Sequence, residues 1–197
     1  MVLVFGELCK RVKAPITADD KKLDRLTCYL RATGDKPLRL GYTLPMTVTV
    51  SIDAAFANRE QMKLNSGMCV TWGVGYFISS SKVQKLNSKS STESEIIADS
   101  DGMNIPLWLV GFITYQRNGK HPVRLKQDNQ SCSALLTKGR STAETNCFIE
   151  VRQFWISDYI RIGAVNIVYV PTEDMTSDYY IKQLMVKRFF PEWWREF

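Results

Sequence analysis

Met46-Thr-Val-Thr-Val-Ser-Ile-Asp53-Ala-Ala-Phe-Ala57 is the stretch on which the fold turns. Val48, Val50 and Ile52 alternate with Thr49, Ser51 and Asp53, the period-two pattern of a half-buried strand. Working outward, two further strands are expected at Ser66 to Trp72 and Tyr76 to Ser81, separated by Gly73-Val-Gly75. The three can pair as an antiparallel meander. Ser90-Ser-Thr-Glu93 has capping-box spacing and opens a helix carrying Ile96, Ile97, Ile105, Leu109 and Phe112. Pro106 inside that helix predicts a kink or a break. A short strand at His121 to Gln127 leads into a brief helix around Ser133 to Lys138. A helix over about Thr145 to Ile160, a strand at Val165 to Val170 and a last helix from about Met175 to Phe189 complete the order. That succession predicts an α/β architecture, a mixed five-stranded sheet with helices on its faces.

Upstream, Asp19 to Arg31 spaces Leu23, Leu26, Thr27 and Leu30 helically between an acidic start and a basic end. A lone helix cannot bury its own stripe, so it is expected to dock on the following domain or to have belonged to a larger neighbour. Cys9 to Lys13 is basic, Pro15 closes that segment, and Gly34, Pro37 and Gly41 mark turns.

With 197 residues, 45% of them hydrophobic, the chain can form a packed core, and wholesale disorder is excluded. No uninterrupted apolar run reaches the roughly 18 residues of a membrane span, so no membrane partner is expected. Met1 to Gly6 lacks the basic start and cleavage site of a signal peptide, so secretion is not expected. Five scattered cysteines without a C-x-x-C argue for a reducing intracellular compartment (cytoplasm, virus-like particle or nucleus). His121, the single histidine, excludes chemistry built on two imidazoles and reads as a turn residue before Pro122. A net charge of +6 permits a polyanionic partner.

Four acids stand at the ends of core elements: Asp53, Glu95, Asp128 and Asp178. If these ends meet, repulsion raises their pKa values unless divalent cations neutralise them. Carboxylate oxygens select hard ions, Mg²⁺ or Mn²⁺, over zinc. Two such ions about 3.5–4 Å apart are a recurrent device for displacement at a phosphodiester. Spacing alone leaves solvated loop carboxylates as the competing reading.

The words around these acids are more specific. Ser51-Ile-Asp53-Ala-Ala-Phe-Ala57, Gln84 to Ile97 with its Ser-Ser-Thr-Glu-Ser-Glu95, Gln127-Asp-Asn-Gln-Ser131 and Tyr169 to Asp178 occur in order. Together they resemble the ribonuclease H domain of copia-type LTR retrotransposon Pol polyproteins, over about Ser51 to Leu184. More loosely, Leu8 to Gly41 resembles the tail of the reverse transcriptase region that precedes it. The resemblance implies a ribonuclease H-like fold and two Mg²⁺ ions (Mn²⁺ as a substitute) held by Asp53, Glu95, Asp128 and Asp178. It implies hydrolysis of the RNA strand of an RNA·DNA hybrid, with a reverse transcriptase domain as partner in cis or in trans. Glu95 rather than Glu93 matches the family's helix glutamate. Three segments are expected: a reverse transcriptase remnant over 1–44, the ribonuclease H-like domain over 45–190 and an aromatic tail over 191–197.

The sequence also departs from that family. Cys147-Phe-Ile-Glu150 stands where Lys-His-Ile-Asp is usual, Tyr180-Ile-Lys182-Gln-Leu184 replaces the usual Phe-Thr-Lys-Pro-Leu, and no Y-x-D-D word occurs. A catalytically silent, decayed or domesticated nucleic-acid-binding module is therefore the alternative. Lys82, Lys85, Lys89 and Lys182 are candidates for phosphate contacts, a solvated basic face being the competing reading of each. Asn129 and Gln130 can read 2′-hydroxyls or cap the next helix. Trp72, Trp108 and Trp155 are expected in the core.

Overall fold

The structure, a computed structural model, describes residues 2–55, 64–117, 119–139 and 147–182. Two helices come first, α1 (Val2–Arg11) and α2 (Thr17–Thr33), then a two-residue strand β1 (Gly41–Tyr42). The alternating stretch forms β2 (Val48–Ala55), followed by β3 (Asn65–Thr71), β4 (Gly73–Val74) and β5 (Tyr76–Val83). Helices α3 (Ser91–Gly102) and α4 (Asn104–Arg117) lead to β6 (Val123–Gln127) and α5 (Gln130–Lys138). Helix α6 (Cys147–Arg161), β7 (Val165–Tyr169) and α7 (Asp178–Ile181) follow.

The main sheet has five strands in the order β5-β3-β2-β6-β7. β2 pairs antiparallel with β3 and parallel with β6, β3 with β5 antiparallel, and β6 with β7 parallel. This is the mixed five-stranded sheet with helices on its faces that the succession of elements predicts. Gly73-Val-Gly75 is more than a separator, because β4 pairs with β1 in a small second sheet.

β2 is buried along almost its whole length rather than on one face. It is the middle strand, and α3 and α4 cover one face while α7 lies on the other. Val48, Val50 and Ile52 join Val70, Leu125 and Met103 in the apolar core under α3 and α4. Ser51 and Asp53 point away from that core. Ser51 Oγ lies 3.0 Å from Ser177 Oγ, which ties β2 to the segment preceding α7.

The long helix breaks at Met103, three residues before Pro106. Pro106 therefore sits in the first turn of α4, where its missing N–H would have no helical partner anyway. The stretch 91–116 is long and apolar enough to cross a membrane, against the expectation from uninterrupted runs, but half of it is buried inside the fold. Trp72 and Trp155 are half-buried, whereas Trp108 is 68% exposed and corrects the core expectation. It stacks on Phe112, 5.8 Å between ring centroids, because Leu109 and Ile113 take the inward face of α4.

Near the N-terminus, α1 was not foreseen, yet it packs against β5, α7 and α2. Leu23 and Leu30 on α2 remain exposed, so the stripe read as a docking face is not covered. The last helix starts at Asp178 rather than Met175. Met175 and Ser177 are buried in a non-helical approach to it. The helix ends at Ile181, with Lys182 already extended, so the expected helix is cut short there, and residues 183–197 with the aromatic tail lie outside the described residues. Cys9, Cys28, Cys69 and Cys132 are free thiols.

Candidate metal centre

β2 and β6 run parallel with Ser51 level with Lys126, so Asp53 and Asp128 emerge side by side at the carboxyl end of the strands. β5 ends at this same edge, and α3 starts from it. Ser90 Oγ accepts the Glu93 N–H, and the Glu93 carboxylate accepts the Lys89 N–H at 2.6 Å. The cap thus spends Glu93, and Glu95 is left to face inward, 5% exposed. Carboxylate oxygens of Asp53, Glu95 and Asp128 lie within 4.8 Å of one another.

Asp178 reaches the group from the other face of the sheet. Gly67 on β3 is the register partner of Asp53. A Cβ at Gly67 would stand 2.7 Å from Ile181 Cγ2, 2.8 Å from the Ser177 carbonyl oxygen and 3.1 Å from Tyr180 Cβ. The absence of a side chain there lets α7 settle onto β3 and brings Asp178 against Asp53. Lys182, one turn on, places Nζ 2.5 Å from Asp178 Oδ1 and 3.6 Å from Asp53 Oδ2. All four sequence-predicted acids therefore converge, three as one oxygen cluster and the fourth beside Asp53.

The other candidates disperse. Lys82, Lys85 and Lys89 are exposed on β5 and the loop before α3. Lys82 and Lys85 line a cavity of about 430 Å³ that also includes Arg152 and Asp101, beside the acids rather than among them. Asn129 Oδ1 accepts the Cys132 N–H at 3.0 Å, so it caps α5, while Gln130 is exposed. His121 lies at the opposite end of β6 from Asp128.

Sequence reasoning missed a second layer. Asp99 is fully buried and accepts a hydrogen bond from Gln127 Nε2 at 3.0 Å. Gln127 Oε1 in turn accepts the N–H groups of Asp128 and Asn129, at 2.9 and 3.1 Å. Thr172 Oγ1 donates to Asp128 Oδ2 at 2.8 Å. The available signal was the four-residue step from Glu95 to Asp99, which puts both acids on one helix face.

Electrostatically the site is short of positive charge. Burial, the Asp178 carboxyl and the Glu95 charge all drive the Asp53 pKa far above the carboxylate range, with Lys182 pulling weakly the other way. Burial also raises Glu95, helped by Asp99 and Asp128 and opposed by its contacts with Asp53 and the Ala54 N–H. Asp99 is pushed up to about 7 by burial, against its hydrogen bonds from Gln127 and Cys132. On Lys182, burial works against the charge, but Asp178 and Asp53 outweigh it and raise its pKa.

Asp53 Oδ2 and Glu95 Oε2 are buried without a hydrogen-bond partner. Orphaned, inward-facing carboxylate oxygens in an all-oxygen donor set fit a hard divalent cation.

These raised values give stability a pH dependence. The unfolded chain releases the protons near pH 4, whereas the folded chain keeps those on Asp53, Glu95 and Asp99 to higher pH. The folded state then binds more protons, so stability present below about pH 4 is lost as pH rises to 7 and beyond. Melting in chelator should therefore show a falling Tm from pH 5 to pH 9. Mg²⁺ should restore about 5–10 °C at pH 9 when it exceeds its Kd about 100-fold, and much less at pH 5.

No protein-family model matches the chain. A curated relative, a retrovirus-related Pol polyprotein from a transposon of Nicotiana tabacum, is 27% identical over 172 residues, 82% of this chain and 12% of that polyprotein. Among solved structures, the chain is similar to ribonuclease H1 of the halophilic archaeon Halobacterium salinarum. That match has 16% identity, covers 68% of this chain and 94% of the other, and has a TM-score of 0.47. A ribonuclease H1 isolated from compost, in complex with an RNA/DNA hybrid, matches at 11% identity over 73% of this chain and 99% of its own, TM-score 0.49. A foamy viral protease-reverse transcriptase, also in complex with an RNA/DNA hybrid, matches at 15% identity over 70% of this chain and 19% of its own, TM-score 0.44. The resemblance to a retrotransposon Pol polyprotein thus extends over most of the chain, and the chain spans an eighth of that relative.

Proposed function

We propose that this chain is a retrotransposon-derived ribonuclease H that hydrolyses the RNA strand of an RNA·DNA hybrid with two divalent ions. The observation that carries the reading is the convergence of Asp53, Glu95 and Asp128 within 4.8 Å from three separate elements, two of them with orphaned oxygens. Asp53, Glu95, Asp128 and Asp178 would hold the ions, Mg²⁺ or Mn²⁺. Bound there, the ions would neutralise charge on the scissile phosphate and acidify a water.

The chain's own groups supply positioning. The Ala54 N–H donates to Asp53 Oδ1 at 2.7 Å and to Glu95 Oε1 at 3.2 Å, which fixes two carboxylates relative to one peptide. Gln127 and Thr172 fix Asp128. Lys82, Lys85 and Lys89 offer exposed ammonium groups to backbone phosphates on the approach to the site. Asn129 serves the α5 cap, which leaves Gln130 as the free amide for 2′-hydroxyl contact. A reverse transcriptase domain, in cis or in trans, and a reducing compartment complete the reading.

Purified chain with an end-labelled RNA·DNA hybrid tests it. Cleavage in Mg²⁺, lost in chelator and absent with single-stranded RNA, is expected. Metal-dependent stabilisation without cleavage at any protein concentration would make the chain a silent binding module instead.

A further inference from the structure

The four acids are not equivalent. Asp53, Glu95 and Asp128 form one oxygen cluster, whereas Asp178 is bridged to Asp53 by the Lys182 ammonium. We propose that Lys182 is a built-in cation occupying one of the two ion positions, so that the free chain takes up one divalent ion and admits a second only when Lys182 withdraws. The inference rests on the reading of these acids as a metal centre.

Geometry makes the ammonium both well placed and removable. Its backbone N–H bonds the Asp178 carbonyl at 2.9 Å, and the four-residue step sets its side chain over Asp178. The side chain is 35% exposed and its stem is flexible, so Nζ can swing outward without disturbing α7. An ammonium on Asp178 and Asp53 cannot share those oxygens with a divalent ion, because like charges a few ångströms apart repel strongly in a partly buried site. The other half of the cluster is different: no ammonium sits on Glu95 or Asp128 among the described residues.

A backbone phosphate supplies the reason to move. Lys is a compact point charge well suited to a phosphate oxygen. A phosphate arriving at the acids would draw Nζ away from Asp178 and vacate the second position at the moment a substrate is present. Lys182 is thus a positioning residue that couples ion uptake to hybrid binding.

The test is ion stoichiometry on the full chain without nucleic acid, with Mn²⁺ as the probe, read from the free-ion paramagnetic signal and from calorimetry. Wild type should bind one Mn²⁺ per chain, with any second ion about tenfold or more weaker. Lys182→Met and Lys182→Gln should each bind two, the second tightened by about tenfold. Two ions of equal affinity in the wild type would overturn the proposal, as would variants that stay at one. The wild-type titration decides even if one variant fails to fold. A chain that binds no Mn²⁺ in any form would instead refute the metal centre itself, a distinguishable failure.

Discussion

Asp53→Asn should abolish hybrid cleavage, by about 10³-fold or more, while making the metal-free protein more stable. Both halves follow from one carboxylate. Asp53 is 3% exposed, its Oδ2 has no hydrogen-bond partner, and Asp178 and Glu95 crowd it. Leaving a buried acceptor unmet costs about 1–3 kcal/mol, more for a charge. Asparagine keeps the shape, is neutral in the folded and unfolded chain alike and so needs no proton uptake on folding, and can donate to a neighbouring carboxylate. In chelator at pH 8, Tm should therefore rise by about 2–4 °C per kcal/mol recovered. In Mg²⁺ the same change would remove a proposed ion ligand shared by both halves of the site, and losing one member of a unit that acts together costs several orders of magnitude in kcat. Melting in chelator and single-turnover cleavage in Mg²⁺ check the two signs. An Asp53→Asn chain that cuts like wild type would end the proposed role for Asp53, and a lower Tm in chelator would contradict the electrostatic account.

Gly67→Ala should destabilise the chain and cripple the site without altering any of the four acids. The new methyl would meet the Ser177 carbonyl oxygen at 2.8 Å, and a backbone atom cannot rotate away as a side chain tip can. Overpacking of this kind costs about 1–3 kcal/mol, or about 2–10 °C in Tm for a chain of this size. Relief requires α7 to lift from β3, which withdraws Asp178 from Asp53 and Lys182 with it. A displacement of about 1 Å at reacting groups can cost about 10²-fold in rate, so cleavage should fall further than the lost stability explains. Tm, kcat and Mn²⁺ affinity measured together decide the matter. An unchanged kcat at lower Tm would mean that α7 does not set the position of Asp178.

How much of this was readable in the chain depends on whether the signal is local. The Val48–Ile52 alternation, the Ser90–Glu93 cap and the five-strand order are local patterns, and each appears where the sequence puts it. Pro106 predicts a kink or a break, and the break falls at Met103, since a proline in the first turn of a helix is no obstacle to it. Trp108 and Phe112 carry the composition of a core yet face outward. Which face of α4 meets the sheet is set by packing, and the apolar stripe on that helix is wide enough for either. α1 went unread because its ten residues carry no cap and a glycine in mid-helix, and it is held by contacts with β5 and α7 far along the chain.

By itself, the sequence determined the five strands of the main sheet in their chain order and singled out four acids as candidates, because hydrophobic period, capping chemistry and motif words are properties of short stretches. Only the tertiary structure decided that three acids share one oxygen cluster and that Lys182 sits on the fourth. It alone brought in Asp99 and Gln127 beneath Asp128, and gave Gly67 the task of seating α7. Those are distances between residues dozens of positions apart, fixed by sheet register and close packing, and no short stretch of chain contains them.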